Sequence, residues 1–398
     1  MDRRGNSDDA KSSPEFLTLR IDRRRFLVLA GSVAAYSALR PYTAWARKVG
    51  ATLPPLQPWT LPDQAPADEL ERARALIGAA VLAPSHWNAQ PWRFEVEGSV
   101  IRLLADPRRA LPVTDPHQRA MRISLGAALE NLLVAGRAWG LRPSVTYRPL
   151  DDPTGAVADI DWAAGEALRD RTLFGAIAAR RTNRREYDGR GLFRENRAAL
   201  SAQVPDEFRV RWVDDPGVMR SLADLAHDAV HDQILDRRAQ AECFAWMRFG
   251  DGAARRRADG ISIDALDLGG PSKWFAGRYF NPRSWFLGQG AGTLAKRARD
   301  GIRSAGAAAL LTAPLQRADI WVAGGQAYER LALKATQLGI AHQPIDAPIE
   351  VDRYRGDLLR QFGAVGEEPL MFVRFGHAEP PPPTERRGVA AVASFRKA

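Results

Sequence analysis

The chain has 398 residues, long enough for two or more domains of ordinary size or for one large domain. Apolar residues make up 45% and charged residues 26%, which excludes a largely disordered or fibrous protein. The single cysteine, Cys243, excludes an intrachain disulfide framework, a cysteine-ligated iron–sulfur cluster and a cysteine-rich zinc site. The formal charge is +10, but the arginines that dominate it are spread along the chain, so we expect no nucleic-acid partner.

The first 46 residues contain the parts of an export signal in the expected order. A polar leader is followed by Asp22-Arg23-Arg24-Arg25-Phe26-Leu27, then by an apolar run from Phe26 to Leu39, and finally by Ala44-Trp45-Ala46. Paired arginines before Phe-Leu resemble a twin-arginine export signal, and a small-x-small triplet is a cleavage signal. The apolar run is too short to cross a bilayer as an anchor of the mature protein.

We therefore expect cleavage after Ala46 and a periplasmic or secreted mature protein. The twin-arginine export machinery would be a partner, and there would be no permanent membrane anchor. An ordinary secretory signal or an amphipathic first helix are the alternatives. The twin-arginine route carries proteins that have folded in the cytoplasm, often around a cofactor, so this signal favours a bound redox cofactor.

The mature chain begins with a Pro-rich linker, residues 47–66, which we expect to be extended and poorly packed. Acidic residues at 68, 69 and 71 and the helical spacing of the apolar residues that follow predict a helix that begins near Asp68. Further along, the patterns predict strands at 92–97, 99–105 and 144–148 and a helix at 118–139.

Turn residues at 151–155 separate these elements from a second group. The patterns there predict helices at 167–180, 218–247 and 326–338 and strands at 208–213 and 370–375. The segment 249–308 is rich in glycine, arginine and aromatic residues and lacks clear periodicity. Loops this long are usually lids or binding segments, so we interpret 249–308 as a lid-like insertion.

Four segments could carry chemistry, and the first is Ala83-Pro84-Ser85-His86-Trp87-Asn88-Ala89-Gln90-Pro91-Trp92. Its hydroxyl and amide side chains lie between a predicted helix and a predicted strand, beside two tryptophans. Such a set suits the polar edge and the flat face of a planar heterocycle. The segment resembles the Asn-x-Gln-Pro-Trp signature of the nitroreductase-like FMN-binding family. A turn whose tryptophans belong to the core is the alternative.

Three further segments resemble the same family, in the order that it requires. Arg180-Arg181-Thr182-Asn183-Arg184 resembles an Arg-Arg-Ser-x-Arg loop, and bidentate arginines suit a phosphate. Gly339-Ile340-Ala341-His342-Gln343-Pro344-Ile345 resembles a Gly-Leu…Pro-Ile loop. Glu385-Arg386-Arg387 stands where the family has a late basic pair. Taken alone, Arg180–Arg184 is as compatible with a solvated basic turn as with a phosphate site. Glu385-Arg386-Arg387 alone is likewise as compatible with a frayed basic tail.

The resemblance covers about residues 68–390. It is closest to the long Acg-type branch, in which one chain supplies both halves of a dimer-like architecture. It implies an α+β, nitroreductase-like fold with mixed sheets flanked by helices, with residues 67–150 as the first half and 151–390 as the second. We then expect a monomer with an internal pseudo-dimer. Thr182 in place of serine, and Trp87 beside Asn88, depart from the family pattern and leave the substrate open.

The resemblance also implies a bound FMN and a role for each matching residue. The FMN phosphate would be surrounded by Arg180, Arg181, Thr182, Arg184, Arg386 and Arg387. The isoalloxazine would lie along Ser85, Asn88 and Gln90, with Gln343 and Pro344 near its N5 atom. No catalytic side chain is marked. The implied activity is flavin-dependent reduction of a small nitroaromatic or quinone-like electron acceptor, and the alternative is an FMN-storing protein with little turnover.

A zinc enzyme is a rival interpretation. His227-Asp228-Ala229-Val230-His231 places two imidazoles four residues apart on one predicted helix face. A catalytic zinc requires a third protein ligand, for which Glu242 is the candidate, and such a pair is more often a solvated helix face. The sequence contains neither Gly-x-Ser-x-Gly nor Gly-x-Gly-x-x-Gly, which argues against a serine hydrolase and a Rossmann domain. We therefore expect no metal.

Overall fold

The computed structural model of the chain describes residues 59–166, 171–249, 251–262, 291–314 and 320–396. The expected export signal at 1–46 lies outside these residues. Within them, none of the helices combines the length and the apolar character needed to span a membrane.

The elements are numbered in chain order. The strands are β1 (Trp92–Glu97), β2 (Val100–Ala105), β3 (Leu141–Tyr147), β4 (Ala156–Ala164), β5 (Arg209–Val213), β6 (Met247–Arg248), β7 (Ile261–Ser262), β8 (Ala307–Ala313), β9 (Ala341–Pro344), β10 (Glu368–Gly376) and β11 (Ala393–Arg396). The α-helices are α1 (Glu69–Ala80), α2 (Arg119–Ala138), α3 (Thr172–Ala179), α4 (Arg194–Ser201), α5 (Pro216–Leu235), α6 (Arg237–Ala245), α7 (Asp251–Arg257), α8 (Ala291–Arg303), α9 (Ile320–Gln337), α10 (Ala347–Glu350) and α11 (Asp352–Gln361).

A five-stranded sheet has the order β11-β1-β2-β4-β3. Strands β1 and β2 form an antiparallel hairpin through Gly98, whose φ of 55° suits glycine, and β11 adds to β1 in parallel. Along β1 the buried residues alternate, so that Trp92, Phe94 and Val96 share one face. That face packs against apolar residues of α1 and α2 and forms the core of this part of the molecule.

A four-stranded sheet has the order β5-β8-β10-β9. Strand β8 is central, and all of its residues are buried because helices cover both faces of this sheet. Apolar residues of α4 and α9 pack on one face, and those of α5, α8 and α11 pack on the other. The predicted architecture of mixed sheets flanked by helices is therefore confirmed.

Helices α2 and α9 approach each other more closely than side chains normally allow. A Cβ atom on Gly126 would lie 1.9 Å from the carbonyl oxygen of Val322, and one on Gly325 would lie 2.1 Å from that of Ile123. Only glycine permits this contact between backbones. It brings Ser124 of α2 and Tyr328 of α9 to the walls of one cavity.

Two of the predicted elements differ from the structure. The helix predicted at 218–247 is wrong, because the chain forms α5 and α6 with a break at Asp236. The Asp236 carboxylate accepts hydrogen bonds from the N–H groups of Arg238 and Ala239 and so caps a new helix. The segment 249–308 is not loop throughout, since it contains α7, β7, α8 and the start of β8, while its residues 263–290 lie outside the described part.

The linker also differs from expectation in its described part. Trp59 is buried, and its indole N–H donates to the carbonyl oxygen of Thr384, while the Trp139 indole donates to that of Pro62. Trp59, Leu61 and Ala65 therefore pack against the core, while residues 60 and 62–64 are exposed. The first sheet also crosses the expected boundary at residue 150, because β4 pairs with both β2 and β3.

Candidate functional site

The loop between α1 and β1 has a strained backbone. Trp87, Asn88 and Gln90 have φ values of 50°, 52° and 52°, a left-handed region that residues other than glycine rarely adopt. Two hydrogen bonds fix this loop. The backbone N–H of Gln90 donates to Oγ of Ser85 at 2.9 Å, and the backbone N–H of His86 donates to Oγ of Ser124 in α2. Strain of this kind persists only where the surroundings impose it, and it is common at binding sites.

Asn88 and Gln90 join this loop to the C-terminal tail. The Oδ1 atom of Asn88 accepts from the Arg386 guanidinium at 2.8 Å, and the Oε1 atom of Gln90 accepts from the Arg387 N–H at 2.8 Å. The Asn88 amide donates to the backbone carbonyls of Gly260 and Glu385, and the Gln90 amide donates to that of Ala258. Both amides therefore bond to the protein itself.

The two predicted basic segments meet at the tryptophan of the linker. The guanidinium carbon of Arg181 lies 4.1 Å from the centroid of the Trp59 ring, and that of Arg386 lies 5.3 Å from it. Beside them Arg180 is buried, with its Nε atom 3.5 Å from Oε1 of Glu329. We call Arg180, Arg181, Arg184 and Arg386 the arginine cluster, since their charges act on one another.

The arginine cluster is short of negative charge. Burial, and then repulsion by Arg180 and Arg181, hold the pKa of Arg386 well below its usual value. Burial raises the pKa of Glu329 to about 8, although Arg180 acts in the opposite direction, so this carboxyl is mostly protonated at neutral pH. Buried cations normally have anionic partners. Their excess here indicates a place for an anion.

A cavity of about 240 Å³ opens next to the arginine cluster. Helices α2, α5 and α8 supply much of its apolar wall, together with Trp87 and Met371. Its polar lining includes Ser85, Thr182, Arg184 and Gln343. A largely apolar cavity with a few polar groups is typical of a small-molecule site.

Arg184 connects the cavity with the arginine cluster. Its guanidinium forms no hydrogen bond or ion pair with any of the described residues, and it lines the cavity. Burial lowers the pKa of Arg184 to about 10, with the nearby Arg180 acting in the same direction. Arg184 is thus a cation that is available to a ligand in the cavity.

Another wall of the cavity carries His86, Asp346 and Glu350, which we call the ionic triad. The Nδ1 atom of His86 lies 3.2 Å from Oδ2 of Asp346, and its Nε2 atom lies 3.2 Å from Oε1 of Glu350. Burial alone would lower the pKa of His86, but the two carboxylates outweigh it and raise this pKa to about 9. The ligand atoms of the triad also lie within 4.8 Å of one another. Because Nδ1 is already bonded to Asp346, we interpret the triad as ion pairs around an imidazolium.

The structure divides the eleven predicted site residues into two groups. Five of them line the cavity: Ser85, Thr182, Arg184, Gln343 and Pro344. The other six lie outside this lining: Asn88, Gln90, Arg180, Arg181, Arg386 and Arg387. Their predicted contacts with FMN stay predictions.

Sequence reasoning missed several residues of the site. Trp59 and Glu329 were overlooked because their neighbours in the structure are far away in the sequence. Asp346 and Glu350 had a usable signal, since two acids four residues apart share one helix face. His86 stood inside a segment that was singled out, but only its neighbours were assigned roles.

The histidine pair of the zinc interpretation has another environment. The rings of His227 and His231 are stacked with centroids 6.0 Å apart, and the Nδ1 atom of His227 lies 2.8 Å from Oδ1 of Asp228. The proposed third ligand, Glu242, instead accepts hydrogen bonds from Val113 and Thr114. Since Glu242 is already bonded, this arrangement does not favour a zinc site there.

No protein-family model matches the sequence. Curated proteins of Mycobacterium tuberculosis strain H37Rv are similar to most of the chain. "Putative NAD(P)H nitroreductase Rv3131" is 28% identical over 338 residues, which are 82% of this chain and 92% of that protein. "Putative NAD(P)H nitroreductase acg" is 26% identical over 334 residues, which are 81% of this chain and 95% of that protein. "Uncharacterized protein Rv3127" is 26% identical over 330 residues, which are 80% of this chain and 91% of that protein.

Solved structures of nitroreductases also share parts of the arrangement. A "putative nitroreductase" from Anabaena variabilis has a TM-score of 0.40 and 14% identity, and the match covers 70% of this chain and 69% of that one. The FMN-dependent nitroreductase NfnB of Mycobacterium smegmatis in complex with NADPH has a TM-score of 0.31 and 19% identity. That match covers 52% of this chain and 88% of that one. Neither likeness extends over the whole chain.

Proposed function

We propose that this chain is an exported, FMN-binding oxidoreductase of the nitroreductase type, which reduces nitroaromatic or quinone-like electron acceptors. The observation that carries the proposal is the arginine cluster, whose member Arg184 lines the cavity and forms no hydrogen bond or ion pair with the described part of the chain. The names of the two relatives called NAD(P)H nitroreductases point to the same class of reaction. Export rests on the twin-arginine pattern at residues 23–27.

The residues present fit a phosphate-bearing flavin. Among the described residues, five of the buried side-chain atoms without hydrogen-bond partners belong to the arginine cluster or its neighbours: Nε of Arg180, Nε of Arg386, both carboxyl oxygens of Glu329 and the hydroxyl of Tyr328. Such atoms need an explanation, and a polar ligand beside them is one. The doubly charged phosphate of FMN would supply the missing anionic partner of the arginines.

We assign the roles within the cavity accordingly. Thr182 and Arg184 would bind the phosphate end of FMN, with Arg180, Arg181 and Arg386 behind them. Ser85, Gln343 and Pro344 would border the isoalloxazine. A bound flavin supplies the transfer of two electrons as a hydride equivalent, while the protein sets its position and its electrostatic surroundings.

FMN binding tests the proposal directly. The purified protein should release FMN on denaturation, and FMN should rebind to the apoprotein. The Arg184→Gln variant should lose about 1.5–3 kcal/mol of FMN binding free energy, which is typical of a charged hydrogen bond. Its apoprotein should be as stable as the wild type or more stable, because the substitution removes a half-buried cation that has no partner among the described residues.

The matched control is Arg190→Gln, since Arg190 is exposed and paired with Asp188. This variant should bind FMN as the wild type does. Equal FMN affinity in all three proteins would exclude Arg184 from the binding site. Protein that neither contains FMN nor takes it up would contradict the proposal as a whole.

A further inference from the structure

His86 uses its two ring nitrogens differently. Its Nδ1 atom is hydrogen-bonded to Oδ2 of Asp346 at 3.2 Å. Its Nε2 atom is buried and has no hydrogen-bond partner, and the same holds for the facing Oε1 atom of Glu350. The contact of 3.2 Å between these two atoms is therefore an ion pair without hydrogen-bond alignment. One N–H group of a buried imidazolium is left without a hydrogen bond.

Charged groups from several elements surround this imidazole. Glu350, Asp346 and Asp115 act on the charge of His86, and Arg119 at the start of α2 acts on the two carboxylates of the triad. The other oxygen of Glu350 accepts a hydrogen bond from Gln233 of α5. These neighbours favour a histidine that carries its proton at neutral pH.

The other ionisable groups of the cavity are poor proton donors near neutral pH. Burial raises the pKa of Tyr328 far above its usual value, and the guanidinium of Arg184 stays charged, since its pKa is about 10. The ionic triad lines the same cavity, and the side chain of His86 is 11% exposed. Among the described residues that line the cavity, the triad is therefore the group best suited to donate a proton near neutral pH.

We propose that His86 is the proton donor for a quinone-like acceptor bound in this cavity, with Asp346 as the residue that positions its ring. The inference rests on the proposed function, which supplies the electrons. A carboxylate that holds Nδ1–H and leaves Nε2–H for the reaction is a common arrangement of catalytic histidines. Displacement of the Glu350 carboxylate from Nε2 would break this ion pair but no hydrogen bond of His86, and it would leave Nε2–H to an acceptor in the cavity.

The reaction balances with one hydride and one proton. The quinone would take a hydride, and with it two electrons, from the reduced flavin that the proposed function would supply, and this would form an O–H bond at one carbonyl oxygen. The other carbonyl oxygen would take the proton from His86 Nε2, which would form the second O–H bond and break an N–H bond. The quinone would leave as a hydroquinone, and the neutral His86 would regain a proton from solvent.

The test compares two oxidants of the dithionite-reduced protein under anaerobic conditions. Benzoquinone requires a proton on its oxygen, whereas ferricyanide takes single electrons and no proton. The His86→Gln variant should slow reoxidation by benzoquinone about 100-fold, at the lower end of the range for general acid catalysis. Ferricyanide should reoxidise the variant at the wild-type rate. The control His227→Gln, a histidine beside an aspartate on α5, should leave both rates unchanged.

The pH profile adds a second readout. In the wild type, reoxidation by benzoquinone should slow as the pH rises through about 9, where His86 loses its proton. The Asp346→Asn variant should show the same fall at lower pH, and His86→Gln should show none. Slowing of both oxidants by His86→Gln would assign the residue a structural role, and slowing of neither would exclude it as the donor.

A measurement without flavin separates this inference from the proposed function. Nitrogen chemical shifts of the His86 ring in the apoprotein should show an imidazolium at pH 7.5. A neutral His86 at that pH would overturn the inference even if FMN binds normally. A divalent metal that co-purifies with the protein and is lost in His86→Gln would also overturn it, since His86 would then be a ligand.

Discussion

Glu329 is the residue in which burial and charge oppose each other most clearly. Its side chain is fully buried next to Arg180, and neither of its carboxyl oxygens has a hydrogen bond of good geometry. Burial raises its pKa to about 8, and the attraction of Arg180 does not offset this effect. The folded protein therefore keeps a proton on Glu329 over a pH range in which the unfolded chain has lost it.

The stability of the apoprotein should depend on pH through this residue. Between about pH 4.5 and 8 the unfolded chain binds fewer protons at Glu329 than the folded protein, so unfolding becomes easier as the pH rises. The contribution is at most about 1.4 kcal/mol per pH unit. The Glu329→Gln variant lacks this ionisable group. The free energy of unfolding of the variant, relative to that of the wild type, should therefore increase from pH 5 to pH 8.

Urea unfolding of the apoproteins at pH 5, 6, 7 and 8 measures this difference. Glu195→Gln is the control, because Glu195 is exposed on α4. A difference between Glu329→Gln and the wild type that stays constant over this range would show that Glu329 is ionised when folded.

The types of residue at the site were predictable, but their partners were not. Arginines next to a hydroxyl, as in Arg180–Arg184, suggest a phosphate from the sequence alone. The sequence did not show that Trp59 lies against both Arg181 and the distant Arg386, or that Glu329 lies beside Arg180. Those contacts join distant parts of the chain, and local patterns contain no information about them.

At the scale of secondary-structure elements, the close contact between α2 and α9 has the largest effect on the shape of the cavity. It depends on Gly126 and Gly325, each of which lies against a backbone carbonyl of the other helix. A methyl group at either position would clash with main-chain atoms that cannot move aside. Both helices carry residues of the cavity wall, so their spacing sets its width.

Substitution of glycine by alanine should therefore have opposite effects at two helical positions. Gly126→Ala should destabilise the protein by about 3 kcal/mol, the upper end of the usual range for overpacking. Gly78→Ala in α1 should stabilise it by up to about 1 kcal/mol, because nothing lies within 4 Å of the added methyl and alanine favours helix. Chemical unfolding of both variants measures the effect, and equal changes would contradict the helix contact.

Several elements with a clear period were predicted closely, and two features without one were missed. Helix α2 and strands β1 and β2 agree with prediction to within one residue or so, since their apolar residues recur at helical or alternating spacing. Strand β8 was missed because it is buried on both faces and its sequence, Ala-Ala-Ala-Leu-Leu-Thr-Ala, does not alternate. The break at Asp236 was missed because one capping residue interrupts a pattern that is otherwise continuous.

For the molecule as a whole, the C-terminal tail holds distant parts together. Strand β11 pairs in parallel with β1, and Arg386 and Arg387 hold the loop that carries Asn88 and Gln90. The tail also accepts the hydrogen bond of the Trp59 indole. The tail, for which a frayed segment was the alternative interpretation, is thus part of both the first sheet and the arginine cluster.

A chain that ends after Pro383 should lose stability and FMN together. It lacks Arg386 and Arg387, the partner strand of β1 and the carbonyl bonded by Trp59. Each lost hydrogen bond costs roughly 1 kcal/mol, so the sum is a large share of the stability of a typical protein. A chain that ends after Arg396 is the control, because it keeps all of these contacts.

Thermal unfolding and flavin content should be measured on both truncated proteins. The Asn88→Ala variant should show a smaller loss of both properties, since it removes the acceptor of Arg386 but keeps the tail in place. FMN binding that survives truncation after Pro383 with unchanged affinity would mean that Arg386 only supports the loop. The anion site would then consist of the residues at 180–184 alone, with Arg184 as its contact to the cavity.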